Sequence, residues 1–96
     1  GPRTRLADVG ELDILEAMES SAWQIQGAAQ ALGISRPSLY KLLDKHAQIR
    51  RAEAIPAEEI RAALLAHAGD LARCASALKT PSEALRRHLR IAVPAN

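Results

Sequence analysis

The apolar residues of this chain follow one helical pattern twice, at an offset of 46 positions. When the chain is aligned with itself at that offset without gaps, residues 12–43 and 58–89 share eight identities in 32 positions. The shared residues are mainly Ala, Leu and Ile at intervals of three, four and seven, which is the spacing of one buried helix face. A pattern that repeats at a fixed offset indicates one structural unit built twice.

Each copy contains three apolar stripes, so we predict about six helices. In the first copy the stripes predict helices over about 6–20 and 25–32, and a third from about residue 36; the second copy repeats them. The alternating Val, Thr and aromatic residues typical of strands are missing, since Trp23 and Tyr40 are the only aromatic residues. The predicted fold class is all-α, with two tandem three-helix units. Trp23 and Cys74 fall on inward-facing positions and are predicted to be core residues.

The same pattern divides the chain into four segments. Gly1-Pro2 resembles a protease-cleavage scar, so we expect residues 1–4 to be a tag remnant and the chain to be a piece of a longer protein. Residues 5–46 form the first predicted unit, residues 47–56 the linker, and residues 57–93 a second, degenerate unit.

A short turn separates the second and third predicted helices of the first copy. Gly33 can adopt the positive φ that a sharp helix exit needs, and Ser35 can cap the next helix through its side-chain oxygen. Pro37 falls in the first turn of that helix, where a missing N–H is tolerated. Two short helices joined by about three residues, one of them glycine, form a helix-turn-helix, whose second helix can enter a DNA major groove. Ordinary packing of a helical hairpin is the alternative interpretation.

The stretch "AAQALGISRPSLYKLL", residues 28–43, resembles the Fis-type helix-turn-helix, and the resemblance extends over about residues 23–45. This module is typical of the C-terminal DNA-binding domain of bacterial sigma-54-dependent transcriptional activators, the enhancer-binding proteins. The resemblance implies sequence-specific binding of duplex DNA, with residues 35–46 as the recognition helix in the major groove. It implies that the residues near the groove and its phosphates are Ser35, Arg36 and Ser38, and that those on the backbone side are Tyr40, Lys41 and Lys45. Leu42 and Asp44 stand where many relatives carry a basic residue, so the positive face is thinner here.

The second copy departs further from the Fis-type pattern. Lys79 replaces Gly33, so its turn lacks the residue best suited to positive φ. The sequence "TPSE" predicts a capping box, with Thr80 as N-cap, Pro81 at the first helical position and Glu83 at the third. Its third helix is therefore predicted to begin one residue earlier than that of the first copy. We predict DNA contact largely through the phosphate backbone, by Ser82, Arg86, Arg87 and Arg90. The alternative is a second copy that only braces the first.

Charge is segregated along the chain. Residues 21–55 and 70–90 each carry five basic and two acidic residues, whereas residues 3–20 carry two basic and five acidic ones. Segregation of this kind is typical of a protein that faces a polyanion, although chance clustering on a solvated surface is the alternative. Double-stranded DNA is the predicted partner. The family resemblance adds dimerisation: either the acidic N-terminal helix pairs two chains into a homodimer, or the two copies form a pseudo-dimer within one chain.

Several classes of function are not expected. The sequence has no phosphate-binding loop, nucleophile elbow or paired-carboxylate cleft, so we predict no enzyme activity, no cofactor and no small-molecule ligand. His46, His67 and His88 lie without a ligand cluster, so no metal is predicted. One cysteine fits a reducing compartment, and no apolar run approaches the ~20 residues that cross a bilayer. The predicted location is the bacterial cytoplasm, on the nucleoid. A different class of function remains open, that of a helical protein-interaction or dimerisation module that no longer reads DNA.

Overall fold

The computed structural model describes residues 6–92, with side chains as far as Arg90. Between residues 6 and 92 the chain forms six α-helices and no strand, which confirms the all-α prediction. The helices are α1 (Glu11–Ser20), α2 (Ile25–Leu32), α3 (Arg36–Lys45), α4 (Ala57–Ala66), α5 (Leu71–Leu78) and α6 (Ser82–Ala92), with 3₁₀ turns at Leu6–Asp8 and Ala52–Ala54. The predicted tag remnant (residues 1–4), residue 5 of the first predicted unit and residue 93 of the second lie outside the described residues.

The backbone repeats at the same offset as the sequence. Helices α4, α5 and α6 begin 46 positions after α1, α2 and α3, respectively. The left-handed backbone positions follow suit: Ala22, Trp23 and Gly33 have φ of 55°, 61° and 71°, and Ala68, Gly69 and Lys79 have φ of 51°, 75° and 58°. We call α1–α3 the first unit and α4–α6 the second unit.

The first helix is shorter than its apolar pattern predicts. A helix from about residue 6 is wrong, because α1 begins at Glu11 after a separate 3₁₀ turn. Gly10 interrupts the two with an extended backbone, φ −84° and ψ 167°, and its N–H donates to Asp13 Oδ2 at 3.0 Å. A helix starts after an extended residue whose N–H donates to a carboxylate in the first turn. The spacing of apolar residues does not predict this position.

The exits of α2 and α5 share one hydrogen-bonding pattern. In the first unit Ile34 N–H donates to the Ala29 carbonyl at 3.0 Å and Gly33 N–H to the Gln30 carbonyl at 3.1 Å. In the second unit the equivalent bonds run from Thr80 to Ala75 at 3.1 Å and from Lys79 to Ser76 at 3.3 Å. These pairs are Schellman motifs. The second turn is therefore made as sharply as the first, in spite of its missing glycine.

Lys79 carries backbone strain that its own side chain offsets. A non-glycine residue in the left-handed region is disfavoured by roughly 1–2 kcal/mol. The Lys79 ammonium donates to the Ser76 carbonyl at 3.0 Å and lies 5.9 Å from the centre of the Trp23 ring. A cation above an indole face is attracted to it, so this lysine contributes a contact between the units that glycine cannot make.

One apolar core runs through both units. Trp23, the largest buried side chain, is 1% exposed, and Met18, Leu39, Leu78 and Leu85 are 2% exposed or less. The core positions predicted for Trp23 and Cys74 are confirmed. Residues of both units pack into this one cluster.

The linker packs against this core and is not an exposed connection between the units. Ile49, Ala52 and Ile55 are all buried. His46 is buried at its start, where Nδ1 accepts from the N–H groups of Gln48 and Ile49 at 3.0 and 3.2 Å. With Nδ1 accepting, Nε2 carries the proton and donates to the Glu11 carbonyl at 3.1 Å. These bonds hold the start of the linker against α1.

Candidate nucleic-acid interface

The N-terminus of α3 is formed by a side-chain cap. Ser35 has an extended backbone, and its Oγ accepts from the Ser38 N–H at 3.2 Å while donating to Ser38 Oγ at 2.9 Å. Pro37 lies in the first turn, as predicted. The short turn after α2 and the cap at Ser35 leave only three residues between α2 and α3. The first unit therefore has the helix-turn-helix arrangement that its sequence predicts.

The predicted contact residues of the first unit lie on α3 and at its cap, and five of the six are exposed. Leu39 and Leu43 are buried in the core and Leu42 is half-buried. Ser38 is also half-buried, and the exposed ones are Ser35, Arg36, Tyr40, Lys41 and Lys45. All six predicted positions of the first unit thus remain open to a ligand. The Tyr40 side chain is 49% exposed.

The cations of α3 have no acidic partner within 4.0 Å among residues 6–92. The arginines of the linker differ, because Arg50 pairs with Glu59 and Arg51 pairs with Asp44 at 3.0 Å. The Asp44 carboxylate, which thins the positive face of α3 in the sequence, is therefore matched by a neighbouring charge. The sequence misses this pair because the two residues are seven positions apart and meet only when the linker folds back.

Residues 14–46 match the family model of bacterial regulatory proteins of the Fis family. The Fis-family segment begins at the buried Ile14 of α1, takes in α2, the turn at Gly33 and all of α3, and ends at His46. The predicted resemblance is confirmed for this segment, and it indicates a DNA-binding regulatory function. The second unit lies outside the matched residues. Comparisons with curated proteins and with solved structures gave no match.

The predicted contact residues of the second unit differ in exposure: three are exposed and one is buried. Arg86, Arg87 and Arg90 are exposed on α6, and none has an acidic partner within 4.0 Å among residues 6–92. Ser82 is 5% exposed and faces the Fis-family segment. Its N–H and its Oγ both donate to the Trp23 carbonyl, at 2.8 and 3.1 Å. A side chain enclosed in this way has no surface left for a phosphate, so Ser82 is not available as a DNA contact.

The predicted capping box of α6 is wrong. The helix begins at Ser82, the equivalent of Arg36 in α3, and not one residue earlier. Pro81 is the cap residue, because its carbonyl accepts the first helical bond from the Leu85 N–H at 3.0 Å. Thr80 is fully buried, and its hydroxyl has no hydrogen-bond partner in the described part of the chain. The physical reason is that Thr80 belongs to the exit of α5, which draws its side chain into the core.

A groove of about 470 Å³ separates α3 from α6. We call it the inter-unit groove, and its lining includes Tyr40, Asp44, Ile49, Arg51, Ala84 and Arg87. Tyr40 and Arg87, two predicted DNA contacts from different units, therefore line the same surface. The sequence could not predict this proximity, because it depends on how the units pack.

Glu19, in the last turn of α1, links the two units by hydrogen bonds. Its carboxylate accepts hydrogen bonds from the Ser76 hydroxyl of α5 and from the Trp23 indole N–H, the latter at 3.0 Å. These two bonds, the one from Ser76 foremost, lower the pKa of Glu19 below its ordinary value. The charged form of Glu19 is thus favoured in the folded chain.

The remaining candidate sites are unpromising. Burial raises the pKa of the Cys74 thiol, which donates to the Ala63 carbonyl at 3.4 Å and is therefore a poor nucleophile. Among residues 6–92 no three or more His, Cys, Asp and Glu side chains come together as metal ligands would. None of the helices described is both long and apolar enough to cross a membrane.

Proposed function

We propose that this chain binds duplex DNA sequence-specifically, as the C-terminal DNA-binding domain of a bacterial sigma-54-dependent transcriptional regulator. Residues 35–46 act as the recognition helix in the major groove. The observation that carries the proposal is that the Fis-family match covers a helix with exposed cations, none of which has an acidic partner within 4.0 Å among residues 6–92. The proposed site of action is the nucleoid in the bacterial cytoplasm, and the proposed role is regulatory rather than enzymatic.

The residues of α3 fall into two proposed roles. Arg36 and Ser38, beside the capped N-terminus, face base edges and the nearest phosphates, because the N-terminal residues of a recognition helix enter the groove. Tyr40, Lys41 and Lys45 lie further along the helix and contact the backbone. Phosphate contacts position the protein and base contacts specify the sequence.

A selection from random duplexes followed by mutation of the protein tests this proposal. Replacing Arg36 and Lys41 together by alanine is expected to weaken binding to the selected duplex at least about tenfold, since one base-contacting arginine is worth about 1–3 kcal/mol. The matched control is Arg61→Ala with Arg73→Ala, which removes the same charge from exposed positions on α4 and α5. Equal affinities for the two double variants would show that α3 is not the recognition helix.

A second candidate function is a helical interaction or dimerisation module that has lost DNA reading. The observation in its favour is that Leu12 and Leu65 are 75% and 80% exposed, on α1 and α4. Such side chains can contact a second copy of the chain, and we propose a homodimer under either function. Sedimentation with and without duplex at low salt separates the two functions: self-association with no DNA complex supports the module, and a salt-sensitive complex supports DNA binding.

A further inference from the structure

The N-terminal end of α6 is held by the first unit. Ser82 donates twice to the Trp23 carbonyl, and Glu83 Oε1 accepts from the Ile25 N–H at 3.4 Å. Ile25 is the first residue of α2, and the side chain of its cap residue, Gln24, makes no capping hydrogen bond to the start of the helix. The Glu83 carboxylate thus supplies an acceptor to a helix start that lacks one of its own. We call the contacts of Ser82 and Glu83 with Trp23 and Ile25 the helix lock.

The helix lock includes one of the positions that would read bases, and it lies at the start of α6. At the offset of 46, Ser82 corresponds to Arg36 and Glu83 to Pro37, and the next groove-facing position has Ala84 in place of Ser38. Two of the three positions at the start of α6 are therefore bound inside the chain. The third carries only a methyl group, which makes no hydrogen bond to a base edge.

The helix lock also occupies a place where a helix-turn-helix commonly contacts the DNA phosphate backbone. The first helix of the motif crosses the DNA backbone, and the N–H groups at a helix start can bind a phosphate. At the start of α2 that position is filled by the Glu83 carboxylate. The helix that carries Glu83 also carries cations of its own.

Those cations form one exposed stripe. Arg86, Arg87 and Arg90 are exposed, whereas Leu85 is buried and Leu89 is half-buried. Residues three and four apart on a helix share a side, so Arg87 and Arg90 point away from the core together, with Arg86 beside them. Arg87 lines the inter-unit groove with Tyr40 of α3. The stripe therefore flanks the proposed recognition helix.

We propose that α6 is a phosphate clamp and not a second recognition helix. It binds the backbone of the same duplex beside the sequence that α3 reads, so each chain recognises one half-site. This inference rests on the proposed DNA-binding function. Guanidinium groups pair with phosphate in a bidentate manner and regardless of sequence, so the stripe adds affinity without adding base preference.

The test compares Arg87→Ala with Arg90→Ala as a double variant against the control Arg61→Ala with Arg73→Ala. Circular dichroism first establishes that both double variants are folded. Binding is then measured over a range of salt, on the selected duplex and on an unrelated duplex. The clamp predicts that the α6 variant loses affinity for both duplexes by the same factor. It also predicts that the slope of log K against log salt falls by about 1 for each arginine that paired with a phosphate, or about 2 in all. The control variant is expected to have smaller effects on both the affinity and the salt slope.

The selected motif supplies the second readout, with half-sites counted per bound chain by sedimentation of the complex. One half-site per chain supports the clamp. Two half-sites per chain would overturn it, as would an α6 variant with altered base preference or with the affinity of the control. These outcomes leave the proposed function standing. The proposed function itself fails if the unaltered chain binds no duplex even at low salt.

Discussion

The Arg50 guanidinium donates to the Leu78 carbonyl from Nε at 3.2 Å and from Nη2 at 2.9 Å. Leu78 is the last residue of α5, so Arg50 satisfies a carbonyl that the helix leaves without a partner. The same guanidinium pairs with Glu59 of α4, and the Arg50 N–H donates to the Lys79 carbonyl at 2.8 Å. One linker residue therefore holds two helices of the second unit at the point where that unit meets the first.

Replacing Arg50 by alanine is expected to lower the free energy of unfolding by about 1–2 kcal/mol. The reason is that hydrogen bonds to charged groups are worth more than neutral ones, discounted here because a third of the side chain is exposed. Urea unfolding measures the change. Arg51→Ala is the matched control, since its pair with Asp44 is more exposed and is expected to contribute less than about 1 kcal/mol. Equal losses in the two variants would contradict a structural role specific to Arg50.

The stability of the chain is expected to fall in acid partly through Glu19. Its pKa is lowered in the folded chain, so it stabilises the fold above its ordinary value of 4.5, and that contribution is lost as the pH falls through the folded value. Glu19→Gln is expected to be less stable than the unaltered chain near neutral pH, with the difference shrinking below about pH 4.5. Thermal unfolding over a pH series measures this.

The control for Glu19 is Glu16→Gln, which removes a charge from an exposed residue of the same helix and leaves the bonds to Ser76 and Trp23 in place. A second variant, Ser76→Ala, removes the largest cause of the lowered pKa and is expected to reproduce part of the Glu19→Gln profile. A stability difference for Glu19→Gln that stays constant with pH would contradict the assignment.

Gly33→Ala is expected to destabilise the chain by about 1–2 kcal/mol, because φ of 71° places a Cβ in the disfavoured left-handed region. Chemical denaturation provides the measurement. Gly10→Ala is the control, as φ is −84° there and an added Cβ would meet Asp13 Oδ2 at an ordinary 3.5 Å. Its loss is expected to be smaller and to reflect only the weaker N-cap preference of alanine. A Gly33 variant as stable as the unaltered chain would mean that the turn relaxes to another conformation.

Much of the fold could be predicted from local pattern. The spacing of Ile25, Ala28, Ala29 and Leu32 predicts α2, and Gly33 with Ser35 predicts the turn and the cap that follow it, because exits and caps depend on residues within one helical turn. The wrong predictions concern the helix starts of α1 and α6. Helical spacing does not report where a helix begins, and in α6 a nearby "TPSE" suggested a cap that packing overrides.

The sequence by itself determined that the chain is all-α, that its architecture is written twice at an offset of 46, and which helix of the first unit carries the exposed cations. Only the tertiary structure shows which residues at the start of α6 are hydrogen-bonded to the first unit. In the sequence, Ser82 and Glu83 are polar residues of the kind expected at a protein surface. In the structure they form hydrogen bonds with Trp23 and Ile25, which lie 59 and 58 positions away in the chain. Hydrogen bonds between residues so far apart in the chain form only when the linker and the shared core pack, so they cannot be predicted from a local sequence pattern.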